Sequence, residues 1–185
     1  MQTKTLVREQ RWTAQRALWA ERDQRWARRL HGAIQYRLLT SVLVATSWLG
    51  DGIFWYALIG ALAFFGGTEG RDIATHMALA GLVNLTLYIF LKRWTGRPRP
   101  FVQCPDIRAC ARALDRFSFP SGHVLHALTF TIILTHHYPP AAVGLVPLTL
   151  LIALSRVTLG LHYPSDVAAG AAIGAVVGAS VLLLY

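Results

Sequence analysis

The sequence predicts an all-α membrane protein: a multi-span transmembrane helical bundle, with five spans or alternatively six, preceded by an N-terminal interfacial amphipathic helix. Three observations point there. Of 185 residues, 54% are hydrophobic and 15% charged, with a mean hydropathy of +0.41, too apolar for an ordinary soluble domain of this size. The apolar residues run in long stretches in which Gly and Ala are frequent, as closely packed helices in a bilayer require. The basic residues, in contrast, gather ahead of the first long apolar stretch.

Residues 1–37 carry Lys4, Arg8, Arg11, Arg16, Arg22, Arg25, Arg28, Arg29 and Arg37, and no continuous apolar core, so no cleavable signal peptide is expected. Trp12, Trp19 and Trp26 recur every seven residues and fall near one face of a helix with arginines on its flanks, the pattern of a helix lying on a membrane surface. With a net charge of +9, such a tail could bind nucleic acid or anionic lipid; the Trp spacing favours membrane lipids and no nucleic acid. A solvated basic helix is the plainer alternative.

Residues 38–185 form the membrane-embedded domain. Between 33 and 66, Gly50-Asp51-Gly52 reads as a turn between two spans or as a polar lip on one. Two full spans need roughly 40 apolar residues, so one crossing is expected within 48–66, after a helix that enters from the interface. Further spans fall at 72–92, 121–137, 140–158 and 166–185, separated by breaks at Pro139-Pro140 and His162-Tyr163-Pro164-Ser165. Alternating direction along these spans puts the ends bearing the polar clusters on one membrane face.

Those clusters are Lys92 with Arg99-Pro100, then Pro120-Ser121-Gly122-His123, then Ser155-Arg156 with His162 and Asp166. They hold the parts of a metal-free phosphoryl-transfer site. Lys92, Arg99 and Arg156 are permanent cations able to clamp a phosphate, the guanidiniums in bidentate fashion. A neutral imidazole with one free nitrogen can attack phosphorus, and Asp166, four residues after His162, is placed to accept the other N–H. His123, just inside a helix start, can protonate the leaving oxygen. Ser121 can donate to a phosphate oxygen, and Gly122 allows the backbone to approach it closely. Arg93 and Arg97 are near enough to help. The other histidines, His31, His76, His126, His136 and His137, lack such company; His126, one turn beyond His123, reads as a packed helix-face residue or as a support for the site. No carboxylate cluster of the two-metal kind is visible, so neither a metal nor another cofactor is expected.

The three clusters, in this order and spacing, resemble the signature of the type 2 phosphatidic acid phosphatase superfamily across roughly residues 50–180, without a substitution at the motif positions. The resemblance implies a membrane hydrolase that removes the terminal phosphate of a lipid phosphate or a lipid or prenyl diphosphate, such as undecaprenyl diphosphate. It implies His162 as nucleophile forming a phosphohistidine, Asp166 behind it, His123 as acid, and Lys92, Arg99, Ser121, Gly122 and Arg156 as the phosphate site, with Arg93 and Arg97 outside the core set. Vanadium-dependent haloperoxidases share these motifs and are one alternative, though the spans and small size argue against them; a non-catalytic membrane scaffold is another. The family points to a bacterial inner membrane. With five spans, the positive-inside rule puts the basic tail and the site in the cytoplasm, whereas many bacterial relatives work on the periplasmic side, which a sixth crossing within 33–66 would permit. Cys104 and Cys110 are a free pair or a small disulfide; a cytoplasmic face keeps them reduced.

Overall fold

A computed structural model describes residues 2–184, with side chains from Gln15 onward except that of Arg16. The side chains of Lys4, Arg8, Arg11, Trp12 and Arg16 thus lie outside the described residues. The protein is helical throughout: α1 spans Gln2–His31, α2 Arg37–Leu49, α3 Ile53–Phe65, α4 Gly67–Thr95, α5 Pro100–Gln103, α6 Gly122–His137, α7 Ala142–Thr158 and α8 Pro164–Leu184. Among the described residues the β-type pairing is a single bridge between Pro98 and Phe117, which closes the loop joining α5 to α6.

Three helical segments are individually long and apolar enough to cross a membrane: Gly67–Thr95, Pro139–Thr158 and Pro164–Leu184. They carry exposed apolar side chains suited to lipid, including Phe90, Val143, Leu150 and Leu183. Where a single crossing within 48–66 is expected, α3 is 13 residues long and passes the length and apolarity requirement only together with α2, the pair being bent by 48° at the Gly50-Asp51-Gly52 break as a broken span or a re-entrant loop. The break sits where the bundle core meets the polar clusters: a Cβ on Gly50 would lie 3.1 Å from His123 Cδ2, and Gly52 takes a φ of 113°, which favours glycine.

The central helix is α6. Expected as a span at 121–137, it has 16 residues, about 24 Å, and is not among the segments long enough to cross by themselves; it is mostly buried between α4, α7 and α8. Phe130 and Ile133 pack there with Trp55, Met77, Ile152 and Val177. On α8, Gly174 lets the two backbones touch: a Cβ there would come within 2.5 Å of Leu125 O, and the Thr129 hydroxyl donates to Gly174 O at 2.9 Å. This close α6–α8 contact sets Ser121 and His123, at the start of α6, beside Asp166 at the start of α8.

The α1 helix is docked under the same end of the bundle. His31 Nδ1–H donates to Thr158 O at 2.9 Å while Nε2 accepts the Arg108 N–H at 3.2 Å, and Arg28 pairs with Asp106 at 2.9 Å. Trp19 and Trp26 remain exposed, with the Arg22 and Arg29 guanidiniums over their rings at 5.8 and 5.3 Å. An exposed Trp/Arg strip beside a bilayer-spanning bundle is what an interfacial helix presents to lipid.

Candidate active site

All three polar clusters meet at one end of the bundle. The α4 helix delivers Lys92 in its last turn, the start of α6 delivers Ser121 and His123, the end of α7 delivers Arg156, and the turn into α8 delivers His162 and Asp166. Each of these side chains is buried, including the Lys92 ammonium and both guanidiniums. Buried charge must be partnered, and the partners define the site.

Two of the three cations share one carboxylate. Asp115 Oδ1 accepts from Lys92 Nζ at 2.8 Å, Arg99 Nη2 at 3.1 Å and the Phe117 N–H at 2.9 Å, while Oδ2 accepts from the Tyr88 hydroxyl at 2.5 Å. Burial raises the pKa of Asp115, but the hydrogen bonds from Lys92 and Tyr88 and the adjacent cations outweigh it and bring it down to about 2. Arg99 also donates from Nε to Asp115 O at 2.9 Å and from Nη1 to Leu161 O at 2.8 Å.

Arg99 fixes the state of His162 as well. Its Nη1 lies 3.2 Å from His162 Nε2. A guanidinium only donates, so Nε2 bears the lone pair and Nδ1 the proton. Burial, then the charges of Arg156, Arg99 and Lys92, hold the His162 pKa well below its ordinary value, which keeps the imidazole neutral, as attack on phosphorus requires.

The expected His162–Asp166 hydrogen bond is not formed. His162 Nδ1 and Asp166 Oδ2 stand 3.7 Å apart, and Nδ1 has no partner. The carboxylate is engaged elsewhere: Oδ2 accepts the Tyr163 N–H at 2.8 Å and Oδ1 accepts Arg97 Nη1 at 2.7 Å. Arg97, outside the expected core set, is therefore bound to the carboxylate behind the nucleophile. Its Nη2 pairs with Asp23 of α1 at 2.6 Å, and Asp23 also accepts the Ser165 N–H at 3.0 Å and the Ser165 hydroxyl. A chain of contacts thus runs from α1 to Asp166.

Gly122 also makes room for a neighbour: a Cβ there would come within 2.6 Å of Tyr88 Cε2, so the glycine admits the ring that supports Asp115. Arg93 is exposed on the outside of α4. His126 is half-buried, with Nδ1–H donating to Gly122 O at 2.8 Å. Its ring packs near Phe130, in keeping with a packed helix-face residue.

Two carboxylates escape the sequence patterns. Asp115 lies in an arginine-rich loop with nothing to mark it. Asp51 does carry a signal, as a lone acid between glycines in an apolar run; its Oδ1 lies 2.5 Å from His123 Nε2, giving the second histidine a carboxylate of its own. Three buried polar atoms at the site have no hydrogen-bond partner: Ser121 Oγ, Arg156 Nε and His162 Nδ1. Arg156 otherwise donates to the neutral Ser47 hydroxyl. His162 Nδ1 faces Asp166, while Ser121 Oγ and Arg156 Nε are donors that an incoming phosphate can satisfy.

A membrane-spanning helical bundle with this cluster defines the class of integral-membrane phosphatases. The chain belongs to the PAP2 superfamily, whose profile matches residues 70–185. It is 40% identical over 127 residues to the decaprenylphosphoryl-5-phosphoribose phosphatase of Mycobacterium tuberculosis, covering 68% of this chain and 67% of that protein. It is 32% identical over 124 residues to the undecaprenyl-diphosphatase BcrC of Bacillus subtilis, covering 66% and 64%. The crystal structure of Aquifex aeolicus LpxE superposes with a TM-score of 0.72 at 28% identity, covering 86% of this chain and 93% of that one.

Proposed function

We propose that the protein hydrolyses the terminal phosphate of a phosphorylated membrane lipid through a phosphohistidine intermediate on His162. The observation that carries this reading is the neutral His162 with its Nε2 lone pair among Lys92, Arg99 and Arg156, beside the unpaired Ser121 hydroxyl and Arg156 Nε–H. Phosphate oxygens entering there take those two donors, and Arg99 turns from Nε2 to the phosphate. Nε2 then forms a bond to phosphorus as the bond to the leaving oxygen breaks, and protonated His123, held by Asp51, gives its proton to that oxygen. The imidazolium that forms on His162 directs its Nδ1–H toward Asp166, and a shift of less than about 1 Å makes that hydrogen bond. In the second half, neutral His123 takes a proton from water as the water attacks phosphorus, and phosphate leaves.

The relatives' names support a lipid substrate, in one case a prenyl-linked phosphosugar and in another a prenyl diphosphate. The bundle's exposed apolar flanks leave the lipid tail in the bilayer while the headgroup reaches the site from the interface. A bacterial inner membrane is the proposed location.

The test is phosphate release by purified protein from phosphatidic acid in mixed micelles, with acid-quenched samples analysed by phosphorus NMR for a phosphoramidate on histidine. His162→Ala should release no phosphate and form no adduct while keeping its helical circular dichroism. Asp166→Asn should retain a small residual rate, because it loses the balancing charge but not the attacking atom. Near wild-type release by His162→Ala refutes the mechanism.

A further inference from the structure

A cavity of about 230 Å³ opens beside His123, walled by α3, α4 and α6. Since a water occupies roughly 30 Å³, it has room for a small headgroup. Trp55, Tyr56, Tyr88 and Phe130 form its aromatic lining, and its ionisable lining groups include Asp51, His123 and His126, with no lysine or arginine among them. Trp55 is 1% exposed, and its indole N–H is buried without a hydrogen-bond partner.

We infer that this cavity receives the leaving group, and that it selects an uncharged, hydroxyl-bearing one: the substrate class is a lipid phosphomonoester whose leaving oxygen belongs to an alcohol, in preference to a lipid diphosphate. The inference rests on the reading of His123 as the acid, because whatever carries the leaving oxygen must then sit against His123, and this cavity adjoins it. Two arguments set the class. The first is electrostatic. Once His123 has given up its proton, the Asp51 carboxylate stays in the cavity wall, whereas the Arg156 cation whose charge acts on both residues lies outside that lining. A departing alcohol is indifferent to the carboxylate charge, whereas a departing phosphate carries its own negative charge into a space whose lining offers no permanent cation.

The second argument is chemical. A phosphate leaves readily as an anion, its second pKa being about 6, and gains little from a proton donor. An alkoxide is about as basic as hydroxide, with water's pKa at 15.7, and must be protonated as it leaves. A histidine backed by its own carboxylate is therefore matched to an alcohol. The aromatic lining suits the apolar face of a polyol or sugar.

The test uses two pairs of probes with identical tails: dioleoyl phosphatidic acid against dioleoylglycerol diphosphate, and farnesyl phosphate against farnesyl diphosphate, all with the full-length protein in nanodiscs. In each pair the monoester should have the higher kcat/KM, by about 10-fold or more. Asp51→Asn should lower kcat for the monoester at least about 10-fold further than for the diphosphate, since only the alcohol needs the acid. Tyr56→Arg, at a residue 73% exposed on the cavity lining, adds the missing cation and should shift the kcat/KM ratio toward the diphosphate by about 10-fold, giving a second readout if Asp51→Asn fails to fold. Equal or better turnover of diphosphates by the wild type, or an equal effect of Asp51→Asn on both classes, overturns the inference and leaves the phosphatase reading standing. Release from none of the four probes overturns the phosphatase reading and the inference with it.

Discussion

Asp23 lies on α1, away from the His162 ring, yet its replacement should slow turnover. In Asp23→Ala, Arg97 loses a 2.6 Å ion pair and Ser165 loses the acceptor of both its N–H and its hydroxyl. Arg97 then holds Asp166 without its second anchor, and the turn bearing Ser165 and Asp166 is freed on the side facing α1. A hydrogen bond to a charged group is worth about 1.5–3 kcal/mol. The Arg97 side chain is 26% exposed and that of Asp23 10%, so partial solvent screening places the loss near the lower figure. About 1.5 kcal/mol expressed in the position of Asp166 against His162 is about a 10-fold fall in kcat. KM should change less than about 3-fold, because Asp23 touches none of the cations assigned to phosphate. Asp23→Asn keeps an acceptor oxygen for Arg97 and Ser165 and should recover part of the rate. The assay is phosphate release from phosphatidic acid with kcat and KM resolved, alongside circular dichroism to verify folding. A folded Asp23→Ala protein with wild-type kcat refutes the coupling of α1 to the site.

Activity should persist in excess EDTA and fall with micromolar vanadate, whose trigonal-bipyramidal adduct mimics the phosphoryl transition state; complete loss in EDTA with recovery on adding magnesium would sink the fixed-cation reading. The acid limb of kcat/KM should lie below pH 6.5, the ordinary imidazole value, because the inactive, protonated His162 forms only at more acid pH once its pKa is lowered. A limb at or above 6.5 that moves with Arg156 variants contradicts this. An impermeant thiol reagent applied to intact cells should leave Cys110 unmodified if the α1 side is cytoplasmic; Cys104 is fully buried and makes a poor reporter, while Cys110 is half-buried and free. Ready labelling of Cys110 from outside reverses the sidedness.

The sequence carried the helices and the motif residues further than it carried their partners. Long apolar runs ending in prolines or His-Tyr-Pro gave α4, α7 and α8 to within a few residues, because hydropathy and helix breakers are local properties. The common end of the three clusters followed from alternating direction alone. The break in the first span was harder to read, because Gly50-Asp51-Gly52 fits several local roles and is decided by a distant neighbour, His123. The carboxylates show the same limit. Asp23, Asp51 and Asp115 reach their partners across 74, 72 and 23 residues of chain respectively, and no spacing rule links an acid to a base at such distances. Four of the nine acidic residues in the chain stand at this site. In a protein so poor in acids, each carboxylate near an apolar stretch is a candidate partner for a motif cation, a signal of composition rather than of spacing.

The distribution of those partners decides how a phosphate can enter. Lys92 and Arg99 are already bound to Asp115, whose low pKa keeps it ionised at neutral pH. They can therefore stay buried and ordered in an empty site without the cost of unpaired charge. Arg156 differs: it donates to the neutral Ser47 hydroxyl, and its Nε–H, like Ser121 Oγ, has no partner. Among the described residues Arg156 thus has no carboxylate in hydrogen-bond contact, and its charge, after burial, lowers the proton affinity of the His162 imidazole. A phosphate gains most by satisfying Arg156 and Ser121 first, while Lys92 and Arg99 must share themselves between it and Asp115. The clamp then divides into two parts with different consequences when broken. Arg156→Ala should act mainly on phosphate binding and transfer, leaving the empty fold near its wild-type stability. Lys92→Ala removes a partner of Asp115 and should lower thermal stability as well as activity, by about 1–3 kcal/mol for a charge-assisted bond left unmade. Equal stability losses in the two variants would show that Asp115 does not balance the empty site in this way.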